Sequence, residues 1–158
     1  GTAFPKAYVW MQSNHFEETG VSLVASTALI PWRSAAFRGD LVALHLPEGR
    51  DAGLHRFTSY TRARTVDLVV DDEEVRWSLE SPGGDRLDLT ATIGGRTTGL
   101  LHSPVRTEMH QRVAETLDGT LQVRLADASG RARFEGVGQC AGVEVHGAID
   151  QLLATSGR

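Results

Sequence analysis

The sequence predicts an all-β protein, an antiparallel barrel that forms a single domain over residues 1–158. Three observations predict it. Strand-like segments recur from one end of the chain to the other, glycine-rich clusters separate several of them, and many of the segments alternate apolar and polar residues. A sheet of about ten neighbouring strands, each with one solvated face, loses its exposed edges when it closes into a barrel. A sandwich of two sheets is the alternative architecture.

The expected strands begin with AYVWMQSNHF, VSLVASTALI, DLVALHL, LHRFTSYTR, TVDLVV and EVRWSLE. The second half of the chain supplies RLDLTATI, VRTEMHQRVAE, TLQVRLA, RARFEGVG and AGVEVHG. Four clusters are typical of hairpin turns, because glycine adopts the positive φ that tight turns require: SPGGD, IGGR, LDGT and DASG. Successive hairpins predict a meander.

The segment VSLVASTALI differs from the others, because apolar or small residues occupy both of its faces. A strand with this pattern is expected to be covered on both sides. The tail AIDQLLATS has Ile149, Leu152 and Leu153 at helical spacing, which predicts a short C-terminal helix that supplies part of the cover. A partner domain or a second subunit would supply the rest.

Composition narrows the classes of partner. A net charge of −4 and a pI near 5.8 give no basic surface for nucleic acid, and no apolar run approaches the roughly 20 residues that span a bilayer. The single cysteine, Cys140, cannot form an internal disulfide, and the first residues do not resemble a signal peptide. We therefore expect a cytoplasmic protein that binds a small molecule or another protein.

Motifs for cofactors are weak. The glycines of GVGQCAG are one residue too widely spaced for a dinucleotide fingerprint, and strand-like sequence flanks them. Glu108 with His110 and Glu144 with His146 share strand faces, but solvated strand charges explain these pairs better than a metal site. No serine elbow or cysteine–histidine spacing supports a nucleophilic triad. We expect neither a cofactor nor a metal.

The stretch AYVWMQSNHF is the first candidate site. Side chains alternate in a strand, so one face carries two aromatic and two amide residues: Trp10, Gln12, Asn14 and Phe16. The opposite face is also mixed, and the pattern does not decide which face is buried. If the amides point inward, they either brace the barrel or orient the polar group of a ligand.

Two further segments carry candidate residues. In VRTEMHQRVAE one face is charged and includes Glu108, while the other is semi-polar and includes Met109. A salt-bridged outer face explains those charges better than an active site. In GQCAGVEVHG glycines flank Glu144, and glycine within a strand marks a bend or a close backbone approach. A strand bent around a cavity and a plain barrel corner both fit this pattern.

The sequence resembles the tocopherol cyclase-like family in FPKAYVWMQSNHF, in the apolar strand that follows, and in GQCAGVEVHG. The resemblance extends over most of the chain and implies a lipocalin-like barrel. Family members contain two such barrels, so it also implies that this chain is the C-terminal half of a longer protein. The missing N-terminal barrel would then be its partner, and a site shared between the halves would be incomplete here.

The plant enzymes of this family close a ring by protonating a prenyl double bond, after which a phenol oxygen attacks the cation. The resemblance therefore implies an isomerase or lyase with Glu144 as the acid and Glu108 as the second candidate, although bacterial relatives need not share the activity. Such an acid must be held protonated by burial. Strand parity opposes this role, because Val143 and Val145 are the natural inward pair and turn Glu144 outward.

The function we expect is binding of a hydrophobic small molecule, isoprenoid or aromatic, in the barrel cavity. Its apolar wall would be Trp10 and Phe16, its polar anchors Gln12 and Asn14, and Met109 a further ligand-binding residue. Two alternatives stay open: an acid-catalysed cyclase, and a structural half-domain whose barrel is filled by its own side chains. A cavity of several hundred Å³ beside Trp10 would favour binding, and a solid interior would oppose it.

Overall fold

The computed structural model describes residues 4–93 and 114–155, which form nine strands and one helix. The strands are β1 (Ala7–Ser13), β2 (Ser22–Trp32), β3 (Ala35–Leu46), β4 (Gly53–Thr58), β5 (Arg64–Val70), β6 (Glu74–Glu80), β7 (Arg86–Thr92), β8 (Ala114–Ala126) and β9 (Ala132–Gly147), followed by helix α1 (Ile149–Ala154). The predicted all-β barrel with a short C-terminal helix is confirmed.

The sheet follows the chain as a meander, in the order β4-β3-β2-β1-β9-β8-β7-β6-β5. All pairings are antiparallel, and the β1–β9 pairing joins the two ends of the meander. An even number of such pairings separates β4 from β5, so these two edge strands run in the same direction. The barrel is nearly closed, and its seam lies between β4 and β5, which follow each other along the chain.

Polar side chains bridge the seam where no ladder does. Arg38 and Asp40 occupy inward positions of β3 and form an ion pair with side chains only 9% and 11% exposed. The Arg38 guanidinium donates hydrogen bonds to Thr27 Oγ1 at 2.9 Å and to Thr65 Oγ1, on β5, at 2.8 Å. The buried Trp77 indole also donates to Thr65 Oγ1, at 2.9 Å. Thr65 thus links β3 to β5 and β6 through side chains.

The inward face of the barrel is packed by its own side chains. Among the described residues, fifteen apolar ones from β1, β2, β3, β6, β7 and β8 are at most 1% exposed: Ala7, Val9, Met11, Leu23, Ala25, Val42, Leu44, Val75, Trp77, Leu79, Leu87, Leu89, Ala91, Leu121 and Leu125. A side chain beside a water-sized space would show accessible area, so these side chains border no such space. Each large one contributes about 1.5–3 kcal/mol by leaving water.

Helix α1 closes one end of the barrel. Gly147 ends β9 with φ +85°, and the backbone N–H of Ala148 donates to the carbonyl of Lys6 at 3.1 Å. Leu152 is fully buried within the interior cluster. Ile149 and Leu153 pack against the same cluster, so the apolar side of the helix contacts the core. That the helix also covers the outer side of VSLVASTALI stays a prediction.

The turn predictions have mixed outcomes. SPGGD joins β6 to β7 and DASG joins β8 to β9, each as a hairpin with a positive-φ glycine. LDGT lies within β8, where the ladder to β9 shifts register between Thr116 and Gly119, so the predicted hairpin there is wrong. The Asp-Gly pair provides a bulge instead of a turn. Most of IGGR and of VRTEMHQRVAE lies outside the described residues.

Candidate functional site

Strand β1 turns its apolar face inward and its amides outward. Val9 and Met11 are 0% exposed, whereas Gln12 and Asn14 are exposed to solvent. The hypothesis that these amides anchor a ligand inside the barrel is therefore wrong. Outside, water satisfies their hydrogen-bonding groups, whereas inside they would need partners among apolar side chains or cost about 1–3 kcal/mol each.

Phe16 is buried, but it does not share a strand face with Gln12 and Asn14 as expected. The alternation of β1 ends at Ser13, whose hydroxyl donates to the carbonyl of Gln139 at 2.8 Å. The chain then bends and places the Phe16 ring edge-on to Phe134, with ring centroids 6.0 Å apart. Gly138 makes the approach possible, since a Cβ there would lie 2.9 Å from the Phe16 ring. Phe16 is thus separated from the exposed amides.

A groove of about 870 Å³ runs over Phe16 at the rim of the barrel. Its lining is His15, Phe16, Glu17, Glu18, Phe134, Glu135, Gly136, Val137, Gln139 and Cys140. Carboxylates dominate its polar side, and Cys140 is exposed with a φ of +48°. Among the predicted site residues in the described part of the chain, Phe16 alone lines this groove.

A second groove, the outer-wall groove, lies on the outward faces of β9, β1 and β2 and has a volume of about 360 Å³. Its lining is Phe4, Pro5, Tyr8, Trp10, Ser26, Ala28 and Glu144. The register of β1 and β2 places Trp10 opposite Ser26 and Tyr8 opposite Ala28. Large aromatic side chains therefore stand beside small ones, and this difference in height creates the depression.

The outer-wall groove brings together two predicted site residues, Trp10 and Glu144. They are direct partners on the β1–β9 ladder. The Trp10 ring lies against the backbone of Gly142, where an added Cβ would sit 2.9 Å from Trp10 Cζ3. The glycine of GQCAGVEVHG therefore permits a close approach, as the sequence indicated.

Tyr8 completes the polar side of the groove. Its hydroxyl donates a hydrogen bond to Glu144 Oε1, and its ring stacks on His146 with centroids 5.1 Å apart. Phe4 contacts both rings edge-on, at 6.0 Å. Burial raises the pKa of Tyr8 to about 12, reinforced by the hydrogen bond to Glu144 and by the negative charges of Glu144 and Glu115.

Glu144 faces outward, as strand parity predicted. Val143 and Val145 are 1% and 5% exposed and point into the barrel, whereas Glu144 is half-buried in the open groove. It therefore does not face the dry interior that alkene protonation requires. Glu108 and Met109, the other residues with an expected role, lie outside the described residues.

Sequence reasoning missed Tyr8, Phe4, Ser26 and Ala28. One signal was present for Tyr8, because it has the same strand parity as Trp10 and Gln12. Another was the two-sided apolar pattern of VSLVASTALI, whose outward positions include the two small floor residues. The contact between Tyr8 and Glu144 joins residues 136 positions apart, so no local pattern reveals it.

Comparison with protein families, curated proteins and solved structures finds no match for this chain. The resemblance to the tocopherol cyclase-like family therefore stays a prediction. Within the described part of the chain, no helix is long and apolar enough to cross a membrane. Residues 4–93 and 114–155 contain no group of three or more His, Cys, Asp or Glu that could hold a metal ion.

Proposed function

We propose that this barrel binds a hydrophobic small molecule with an aromatic or isoprenoid body in the outer-wall groove. One observation carries the proposal: an apolar groove with aromatic walls and a small-residue floor contains a single hydrogen-bonded polar pair, Tyr8 and Glu144. Small-molecule sites have this composition, and the groove volume of about 360 Å³ falls within their usual range.

The burial of the inward side chains favours a ligand site on the wall of the barrel over one inside it. The inward side chains nearest to Trp10 in sequence, Val9 and Met11, border no water-sized space. Trp10 keeps the role of an apolar wall, now on the outward face of β1. Tyr8 and Glu144 replace the amides as the groups that orient a polar part of the ligand, through a phenol and a carboxylate.

Filling the floor of the groove tests the proposal. Ser26→Phe places a ring between Trp10 and the space above Ala28, and because Ser26 faces outward the core packing stays intact. We expect N-phenyl-1-naphthylamine, a neutral fluorescent probe, to bind the natural chain and to bind the variant at least about tenfold more weakly, a loss of roughly 1.4 kcal/mol.

The matched control is Val24→Phe, which adds a ring to another outward position of β2 that does not line the groove. It should bind the probe as the natural chain does. Equal binding by Ser26→Phe and the natural chain would contradict the proposal, and so would an equal loss in both variants. Far-ultraviolet circular dichroism checks that each variant is folded.

A structural half-domain is the second candidate, and two outward residues of β3 favour it. Phe37 and Leu41 are 49% and 53% exposed beside the outward face of β2. A second subunit or a missing barrel half seated there would cover them. Sedimentation equilibrium tests the first of these partners: a dimer that Leu41→Ser returns to monomer supports it, and a monomer at high concentration contradicts it.

A further inference from the structure

We infer that the ligand of the outer-wall groove is an organic cation, an amine or quaternary ammonium group on a hydrophobic body. This inference rests on the proposed function of the groove and adds the charge of its ligand. It follows from two independent features of the wall: the arrangement of its carboxylates, and the aromatic rings that stand beside them.

The first feature is a pair of like charges. Glu115 on β8 and Glu144 on β9 are direct partners across the ladder, where like charges destabilise a sheet. No Lys or Arg within residues 4–93 and 114–155 forms an ion pair with either carboxylate. The negative charges of Glu144 and Glu115 both raise the pKa of the Tyr8 hydroxyl. The groove therefore has a negative end that the described part of the protein does not neutralise.

The second feature is the ring cluster. Phe4, Tyr8 and Trp10 line the same groove as the Glu144 carboxylate. The face of an aromatic ring attracts a cation through its quadrupole, and tryptophan does so most strongly. A neutral ligand gains the apolar contact alone, and an anion is repelled by the carboxylates. Charge complementarity therefore selects a cation among hydrophobic ligands.

Two probes of the same shape separate charge from hydrophobicity. (4-Hydroxyphenyl)trimethylammonium and 4-tert-butylphenol differ in the positive charge of one group, and below neutral pH both phenols are protonated. Isothermal titration calorimetry on the natural chain should show the cation binding about tenfold more tightly than its neutral counterpart. Added salt should weaken the binding of the cation and leave the binding of the neutral probe nearly unchanged.

The double substitution Glu115→Gln with Glu144→Gln keeps the side-chain shapes and removes both charges. The affinities of the two probes for this variant should then lie within about threefold of each other. The remaining difference reflects the attraction of the aromatic rings for the cation. Glu48→Gln, at an exposed position away from the groove, should keep the full preference. Equal binding of the probes to the natural chain, a tighter neutral probe, or an unchanged preference in the double variant would overturn the inference while leaving the proposed function intact. Binding of neither probe would overturn both.

Discussion

The Tyr8 hydroxyl donates its hydrogen bond to Glu144 diagonally across the ladder between β1 and β9. The ladder partner of Tyr8 is His146, and that of Glu144 is Trp10, so the bond crosses from one cross-strand pair to the next. It connects the ring cluster of Phe4, Tyr8 and His146 with Glu144, whose carboxylate lines the outer-wall groove. Aromatic surface and negative charge are thereby held in one site.

Titration of Tyr8 tests this bond. The chain has two tyrosines, and in a Tyr60→Phe background the ultraviolet absorbance of phenolate reports Tyr8 alone. We expect deprotonation at about pH 12 instead of 10.0. Glu144→Gln should lower that pKa without restoring the ordinary value, because burial is the largest cause and remains. Titration of Tyr8 at its ordinary value in the natural chain would contradict the geometry.

The same pKa predicts how stability depends on alkaline pH. The folded pKa of Tyr8, about 12, lies above the unfolded value of 10.0, so its contribution is fully present below pH 10 and is lost as pH rises toward 12. Chemical denaturation across this range should show a steeper loss for the natural chain than for Tyr8→Phe. Parallel curves for the two proteins would count against the assignment.

The polar bridge at the seam predicts a stability effect. Thr65→Val keeps the shape of the side chain but removes the oxygen that accepts hydrogen bonds from Arg38 and Trp77. Because both donors are largely shielded from water, the free energy of unfolding should fall by about 1–3 kcal/mol in urea denaturation. Thr90→Val, a half-buried position on β7, is the control and should stay within about 0.5 kcal/mol. Equal losses would show that Thr65 does not bridge the seam.

Gly138 provides a packing prediction. Its missing side chain lets Ser13 and Phe16 approach β9, and an added Cβ would lie 2.6 Å from Ser13 Cβ. Gly138→Ala should therefore cost about 1–3 kcal/mol through overpacking, measured by thermal unfolding. Gly83→Ala, where the nearest atom is a hydroxyl 3.8 Å away, should be close to neutral. A harmless Gly138→Ala would disprove the close approach.

The Asp127 turn predicts acid sensitivity. Its carboxylate accepts hydrogen bonds from Ser129 and Arg131, which hold its pKa at about 2, below the ordinary 3.8. Because the folded state lowers this pKa, the ionised Asp127 carboxylate stabilises the fold above pH 3.8. That contribution is lost as the pH falls toward 2. Asp127→Asn should flatten the dependence of melting temperature on pH in this window, and Asp150→Asn on α1 should not. Identical profiles for Asp127→Asn and the natural chain would refute the prediction.

Local alternation was sufficient to predict the barrel. In EVRWSLE the apolar positions Val75, Trp77 and Leu79 are all buried, because two-residue periodicity directly determines which side of a strand faces water. The outward direction of Glu144 followed from the same rule. Where both faces are mixed, as in β1, alternation does not predict which face is buried. The pairing of β1 with β2 and β9 determines it.

The groove could not be predicted for a related reason. Tyr8 meets Glu144 only after the first and last strands of the meander pair, which is a long-range event that no local pattern reports. The outcome for the Asp-Gly pair in LDGT was likewise not predictable from local sequence, because such a pair is compatible with a hairpin turn and with a bulge. Pairing with β9 produces the bulge. Local sequence determines each strand, and the pairing of distant strands determines the site.

The most direct test of a ligand site on the outer wall is an isotope-filtered nuclear Overhauser experiment with 4-tert-butylphenol and the labelled natural chain. We expect contacts from the tert-butyl protons to the Ala28 methyl and the Trp10 ring, both of which line the groove. Contacts to Met11 and Leu44, which are buried on the inward face, would instead place the ligand inside the barrel and rule out a site on the outer wall.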